Sequence, residues 1–243
     1  MNWAIVLLTG VTILGNGFKA EHKKNARVKN AYQEKEEVVT QLLTKQGLKA
    51  NDLRIFLRAL KEEKKLEIWG SSLKKEEWKL IQTYSICSAS GELGPKRKQG
   101  DWQVPEGFYH IEEHRFNPVS SFHLSLGINY PNASDKILSD KKKPGSDIYI
   151  HGACASIGCM AMTDDFIQEI YIMAVEARNN GQKNIPVHIF PCYMNDSNLK
   201  RIQTEYPQHK SFWTSLQKGY SHFEKQHKLP SFVVNAKGDY IFK

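Results

Sequence analysis

Four cysteines in 243 residues, unevenly spaced at Cys87, Cys154, Cys159 and Cys192, are too few for a disulfide lattice. No CxxC pair occurs among them, which argues against a structural zinc site. Long apolar runs are also lacking. The apolar stretch at residues 3–14 is too short to cross a bilayer and reads as a secretory signal or a short N-terminal segment. No internal repeat or low-complexity linker marks a second independent domain. Acidic side chains are the scarcer charge, 26 Asp and Glu against 34 Lys and Arg, and the net charge of +8 suits an anionic partner. Nucleic acid would qualify, but neither a helix-turn-helix pattern nor zinc-ligand pairs are present, so no nucleic-acid partner is expected.

One dense run is present instead, IHGACASIGC at residues 150–159, fed by a strand-like stretch at 146–150 and followed by a helix start at Thr163, Asp164 and Asp165. It sets a thiol eight positions after an imidazole. Those are the residue types of a Cys/His nucleophilic site, because a free thiol of pKa ~8.5 needs a neighbouring base or a positive field to ionise at neutral pH. His151 is the only histidine of the run. Gly158 permits a tight turn before Cys159, the amides of that turn can face a developing oxyanion, and Ser156 can tie the turn to its own backbone. Spacing alone leaves Cys154 open as the alternative nucleophile. Cys154 and Cys159 are also close enough in sequence to pair as a redox lock that a reductant would open.

Around this run the pattern is one of short strands and amphipathic helices. A helix is predicted over 25–48 with its end at Gly47, then a hairpin of strands at 53–60 and 65–69, and a third strand at 78–87. Pro105 and Gly107 introduce a strand through Phe108 and Tyr109. Over 120–130, alternation sets Phe122, Leu124, Leu126 and Ile128 on one face and His123, Ser125 and Gly127 on the other. Residues 131–145 read as a lid over a cleft. A helix capped by Thr163 carries Phe166, Ile167, Ile170, Tyr171, Ala174 and Val175 as its apolar stripe, and a strand at 185–190 completes the core. Residues 210–225 follow helical spacing, and 232–242 read as a hairpin. The expectation is a mainly β protein with flanking helices, an α+β fold built on a β-sandwich.

IHGACASIGC, with QVPEGFY at residues 103–109, resembles the signature of the YkuD-type L,D-transpeptidases, in their shortened YafK-like branch, over roughly residues 53–190. The resemblance implies an L,D-transpeptidase-like β-sandwich in which Cys159 is the nucleophile and His151 the base. The Gly152 carbonyl would orient the imidazole, and the amides of Gly158 and Cys159 would hold the oxyanion. It further implies acyl transfer from peptidoglycan stem peptides through a thioester, to an amine on a second stem or on a wall-attached protein. Water as acceptor would make the same site an amidase or hydrolase that releases cross-links or wall-attached protein. A non-catalytic wall-binding module is the further alternative, against which the intact His151/Cys159 pair argues. No metal and no cofactor are expected.

Two features depart from the commonest family pattern. The loop between the histidine and the turn is short, and the place two after the cysteine, where a basic residue is usual, is Ala161. Lys96 and Arg97, in the loop at 88–101, are the candidates to hold a substrate carboxylate in its stead. His123 and Ser156 are the other candidate substrate-binding residues. The expected organisation is a signal peptide or apolar segment at 1–20, a helical extension at 21–50, the catalytic domain at 51–193, and a C-terminal helix and hairpin packed on it at 194–243. Such a protein would be exported to the periplasm or cell envelope, touching membrane only through its N-terminal segment.

Overall fold

The computed structural model describes residues 17–75 and 77–243, so the apolar run at 3–14 lies outside the described residues. After a short helix α1 (Gly17–His22), the Asn25 side chain accepts the Arg27 amide and caps α2 (Ala26–Lys45). The predicted hairpin is formed by β1 (Leu53–Leu60) and β2 (Lys65–Ser72), and β3 (Lys79–Ser85) adds antiparallel to β2. There follow β4 (Gly107–Ile111), β5 (Phe116–Asn117), β6 (Ser125–Gly127), α3 (Ala133–Leu138), β7 (Tyr149–His151), β8 (Met160–Ala161), α4 (Asp164–Asn179) and β9 (Ile185–Phe190). The chain ends with α5 (Asp196–Glu205), α6 (Lys210–Gln226) and the hairpin of β10 (Phe232–Val234) with β11 (Tyr240–Phe242). Mixed sheets with flanking helices result, the α+β class expected.

The larger sheet runs β3-β2-β1-β9-β4, with β1 and β9 parallel. Successive side chains of a strand point to opposite faces, and β1 uses both. Ile55, Leu57 and Ala59 enter the main core with α2 and α4, whereas Leu60 and Phe56 pack among residues of α6 such as Trp213 and Phe223. Arg58, on the α6 side, is buried but paired: it donates to Glu67 at 2.7 Å and to Glu224 at 2.5 Å. A buried guanidinium without such partners would be strongly destabilising.

α4 departs from its one-sided prediction. Every residue from 167 to 177 is buried, because α2 covers the face the sheet leaves free. Ile172 and Met173 already make that second face apolar, as a core helix requires. Polar anchors hold the pair together: Tyr32 donates to Glu176 at 2.9 Å, and Lys35 meets Asp165 at 2.6 Å.

On the far side, the indole N–H of Trp213 donates to the fully buried Glu106 at 2.6 Å, and Lys61 donates to the other Glu106 oxygen at 3.0 Å. Burial pushes the Lys61 ammonium below its ordinary pKa, with Glu106 opposing. α5 was not anticipated in the sequence. Its polar segment buries only Leu199 and Ile202, too little apolar periodicity to show.

The smaller sheet, β5-β6-β7-β8, carries the candidate site. Its β6 is much shorter than the strand predicted over 120–130. His123 takes a left-handed φ of 66°, which ends regular pairing and leaves Phe122 45% exposed while Leu124, Leu126 and Ile128 are buried. The predicted lid at 131–145 is in part a packed element: Asn132 and Asp135 form a capping box on α3, and the buried Asp135 accepts the Tyr109 hydroxyl at 2.9 Å. Among the described residues, no helix is long and apolar enough to cross a membrane.

Candidate active site

β7 and β8 run parallel, with Ile150 opposite Met160 and His151 opposite Ala161. The same register one step back brings Cys159 to Tyr149, and the Tyr149 amide donates to Cys159 Sγ at 3.4 Å. The thiol in turn points to the Asp147 carbonyl at 3.7 Å. Burial pushes the half-buried Cys159 thiol above its ordinary pKa, and the Tyr149 amide and the Lys96 charge oppose that shift.

His151 is buried at the end of β7, its ring 4.7 Å from that of Phe122. Its Nδ1 lies 2.7 Å from the Gly152 carbonyl. A carbonyl only accepts, so Nδ1 carries the proton and Nε2 is left as the basic nitrogen. Burial lowers the imidazole pKa, outweighing the Gly152 contact. The resting pair is therefore neutral thiol and neutral imidazole. Neither ring nitrogen is hydrogen-bonded to the thiol, whose partners are main-chain groups.

Gly152 is fixed by its surroundings. Its amide donates to the Phe122 and Leu124 carbonyls, and a Cβ there would lie 2.5 Å from Asp164 Oδ1. Asp164 uses that same oxygen to accept the Ala153 amide at 2.8 Å.

Both expected oxyanion donors are occupied. The Gly158 amide, at φ 95°, donates to Ser90 Oγ at 2.6 Å, and the Cys159 amide donates to Ser156 Oγ at 2.8 Å. Ser156 Oγ also donates to the Cys159 carbonyl at 2.7 Å, so its observed contacts are those of a clamp on the turn.

The remaining candidates divide. Lys96 lies in the wall of a cleft of about 350 Å³ beside the thiol, with Trp102, Ser146, Asp147 and Ile157. It is itself buried and bonded to Asp101 at 2.5 Å and to the Lys98 carbonyl. Asp101 is held below its ordinary pKa: burial raises it, but Lys96 and the amides of Lys98, Arg97 and Gln103 together prevail. Arg97 does not join this cleft. It reaches Asp135 at 3.4 Å and stacks over Phe212, because its side chain leaves the loop toward the C-terminal helix. His123 does not pair with the thiol either. Its left-handed backbone turns the ring to Gln168 of α4 at 3.2 Å.

Cys154 is removed as a rival nucleophile and as a partner for Cys159 by a disulfide to Cys87, with a Cα separation of 5.4 Å. Cys159 and Cys192 are free, and Cys192 is buried. Sequence reasoning missed Ser90 and the Asp147 and Tyr149 main-chain groups. Main-chain contacts carry no residue-type signal, and Ser90 lies 68 positions from the amide it binds.

Fold and site together define an α+β protein carrying a histidine at the end of one strand and a cysteine immediately before the parallel strand beside it. The family model for the L,D-transpeptidase catalytic domain (YkuD) matches residues 69–189. YafK of Escherichia coli strain K12, provisionally named an L,D-transpeptidase, is 38% identical over 184 residues, covering 75% of this chain and 72% of that protein. Its O157:H7 counterpart matches equally. The chain belongs to the L,D-transpeptidase family. Among solved structures, the helical cell shape determining protein Pgp2 of Campylobacter jejuni is similar at 18% identity and a TM-score of 0.45, covering 80% of each chain.

Proposed function

We propose that this protein is an exported cysteine acyltransferase that acts on peptidoglycan stem peptides through a thioester on Cys159. The observation that carries the reading is the 2.7 Å contact of His151 Nδ1 with the Gly152 carbonyl, which leaves Nε2 free to act as a base at neutral pH. In this reading Cys159 turns from the Asp147 carbonyl, gives its proton to His151 Nε2 and attacks an amide carbonyl bound in the cleft. The oxyanion draws on the Gly158 and Cys159 amides, each N–H shared between the oxyanion and the Ser90 or Ser156 hydroxyl that keeps the turn in place. Collapse breaks the C–N bond, His151 returns the proton to the leaving amine, and the acyl group stays on sulfur. An incoming amine then forms a new amide and frees the thiol.

Lys96 is the candidate cation for a substrate carboxylate, as the basic residue in the cleft wall. The Cys87–Cys154 disulfide supports export, since disulfides persist in oxidising compartments.

The test is incubation of sacculi with wild type and with Cys159→Ala, followed by mass spectrometry of the digests. New cross-linked dimers with wild type alone are expected. Shortened stems or released wall protein would replace transfer by hydrolysis, and an unchanged digest with retained sacculus binding would point to a wall-binding module.

A further inference from the structure

The segment at residues 87–90 runs alongside the nucleophile turn and is joined to it at three places. Cys87 is bonded covalently to Cys154 at the start of the turn. Cys87 and Ser88 exchange main-chain hydrogen bonds with Ala161, just past the nucleophile: the Cys87 amide donates to the Ala161 carbonyl at 2.8 Å, and the Ala161 amide donates to the Ser88 carbonyl at 2.9 Å. Between these, Ser90 Oγ accepts the Gly158 amide at 2.6 Å and donates to the Trp102 carbonyl at 2.8 Å.

The turn needs such support. Ala153 and Cys154 are consecutive non-glycine residues in the left-handed region, at φ 64° and 42°. That conformation persists only where the surroundings over-determine it. Besides the disulfide, the restraints on these two residues are the Ala153 amide to Asp164 and a 3.3 Å bond from the Cys154 amide to the Met162 carbonyl.

We infer that residues 87–90 are a brace that positions the Cys159 turn, with Ser90 and the Cys87–Cys154 disulfide as its positioning residues, so that acyl transfer depends on an oxidised disulfide beside a free nucleophile. Reduction by a dithiol breaks the one S–S bond and adds two electrons and two protons, giving the Cys87 and Cys154 thiols, while the dithiol closes to its own disulfide. The turn then relaxes from its left-handed residues. The thiol leaves its place against Tyr149 and Asp147 and becomes more accessible, while the alignment needed for attack is lost.

The inference rests on Cys159 as the acylated residue, and two readouts on the full-length protein separate its failure from the failure of that reading. The first is the rate of thioester formation from stem peptides, resolved into kcat and KM. The second is carbamidomethylation of Cys159 by iodoacetamide as a function of pH, which needs no substrate. The proteins are oxidised wild type, dithiothreitol-reduced and desalted wild type, Cys87→Ala/Cys154→Ala, Ser90→Ala and Ser90→Thr, all held well below their melting temperatures.

Breaking the disulfide is expected to lower kcat roughly tenfold to a hundredfold with KM little changed. It should at the same time quicken carbamidomethylation and move its midpoint down toward the ordinary thiol value. Ser90→Ala should lower kcat about fivefold, as loss of one hydrogen bond implies, and Ser90→Thr should restore it. Equal kcat and equal alkylation profiles in oxidised and disulfide-free protein would overturn the brace, even if the melting temperature fell. Should the double variant not fold, the reduced wild type and Ser90→Ala give the same decision. Absence of any thioester in oxidised wild type would overturn the proposed function, and the alkylation profiles would still decide the brace.

Discussion

At the scale of single residues, the site rests on where two protons sit. Nδ1 of His151 is protonated because its partner is a carbonyl, and burial keeps the imidazole neutral below its ordinary pKa of 6.5. The acid limb of kcat/KM should therefore have its midpoint below 6.5, since activity requires the unprotonated Nε2 and is lost as pH falls through the lowered value. A pH–rate profile checks this, and a midpoint above that value would reverse the burial argument. Gly152→Ala forces a Cβ to within 2.5 Å of Asp164 Oδ1, the oxygen that holds the Ala153 amide. Activity should drop by roughly tenfold or more while circular dichroism stays unchanged. Of this scale, His151, Gly152, Gly158 and Cys159 were legible in the sequence because they crowd into one run. Lys96 was legible as a cation, but its burial against Asp101 depends on a fold that composition does not encode. Arg97 and His123 turn to Asp135 and Gln168, directions that alternation does not report, because they depend on how a side chain leaves a loop or a left-handed residue.

At the scale of elements, the anchors of α6 include an indole hydrogen bond to a carboxylate with no solvent access. Trp213→Phe keeps most of the apolar contact but removes the donor to Glu106, and should cost about 1–3 kcal/mol by denaturant titration. A loss below that range would mean that Lys61 and the Gly94 amide satisfy the carboxylate unaided. The disulfide also acts on the unfolded chain. Closing a separation of 67 residues implies about 4 kcal/mol of stabilisation on the chain-entropy account, measurable as the difference between oxidised and reduced protein. α2, α4, α6, the β1–β2 hairpin and the β10–β11 hairpin were all written in apolar periodicity. The all-round burial of α4 is encoded in Ile172 and Met173, which lie outside its main apolar stripe, and the strand predicted over 120–130 is cut short by a backbone conformation that alternation does not report.

At the scale of the whole molecule, two buried groups give acid stability opposite signs. His188 is buried and pushed down to about 3 by that burial, with Arg58 adding to the shift. Below pH 6.5 the unfolded chain takes a proton that the folded one refuses, so stability falls with pH until about 3. Asp135 is pushed up to about 6 by burial, against its bonds from Tyr109 and Asn132, so between 6 and 3.8 the folded chain binds more protons and gains stability. The two trends offset each other in wild type. Asp135→Asn should therefore lose stability on acidification from pH 6 to pH 4 more steeply than wild type. Equal slopes in urea titrations would contradict the assignment.

The claim on which the functional reading depends is that an acyl group resides on Cys159 during turnover. Intact-protein mass spectrometry after brief incubation with purified stem peptides tests it most directly. The account predicts a mass gain of one acyl group on wild type, mapped to Cys159, released by hydroxylamine, absent from Cys159→Ala and strongly reduced in His151→Ala. An unchanged wild-type mass while sacculus binding persists, or an acyl group on any other residue, would contradict it.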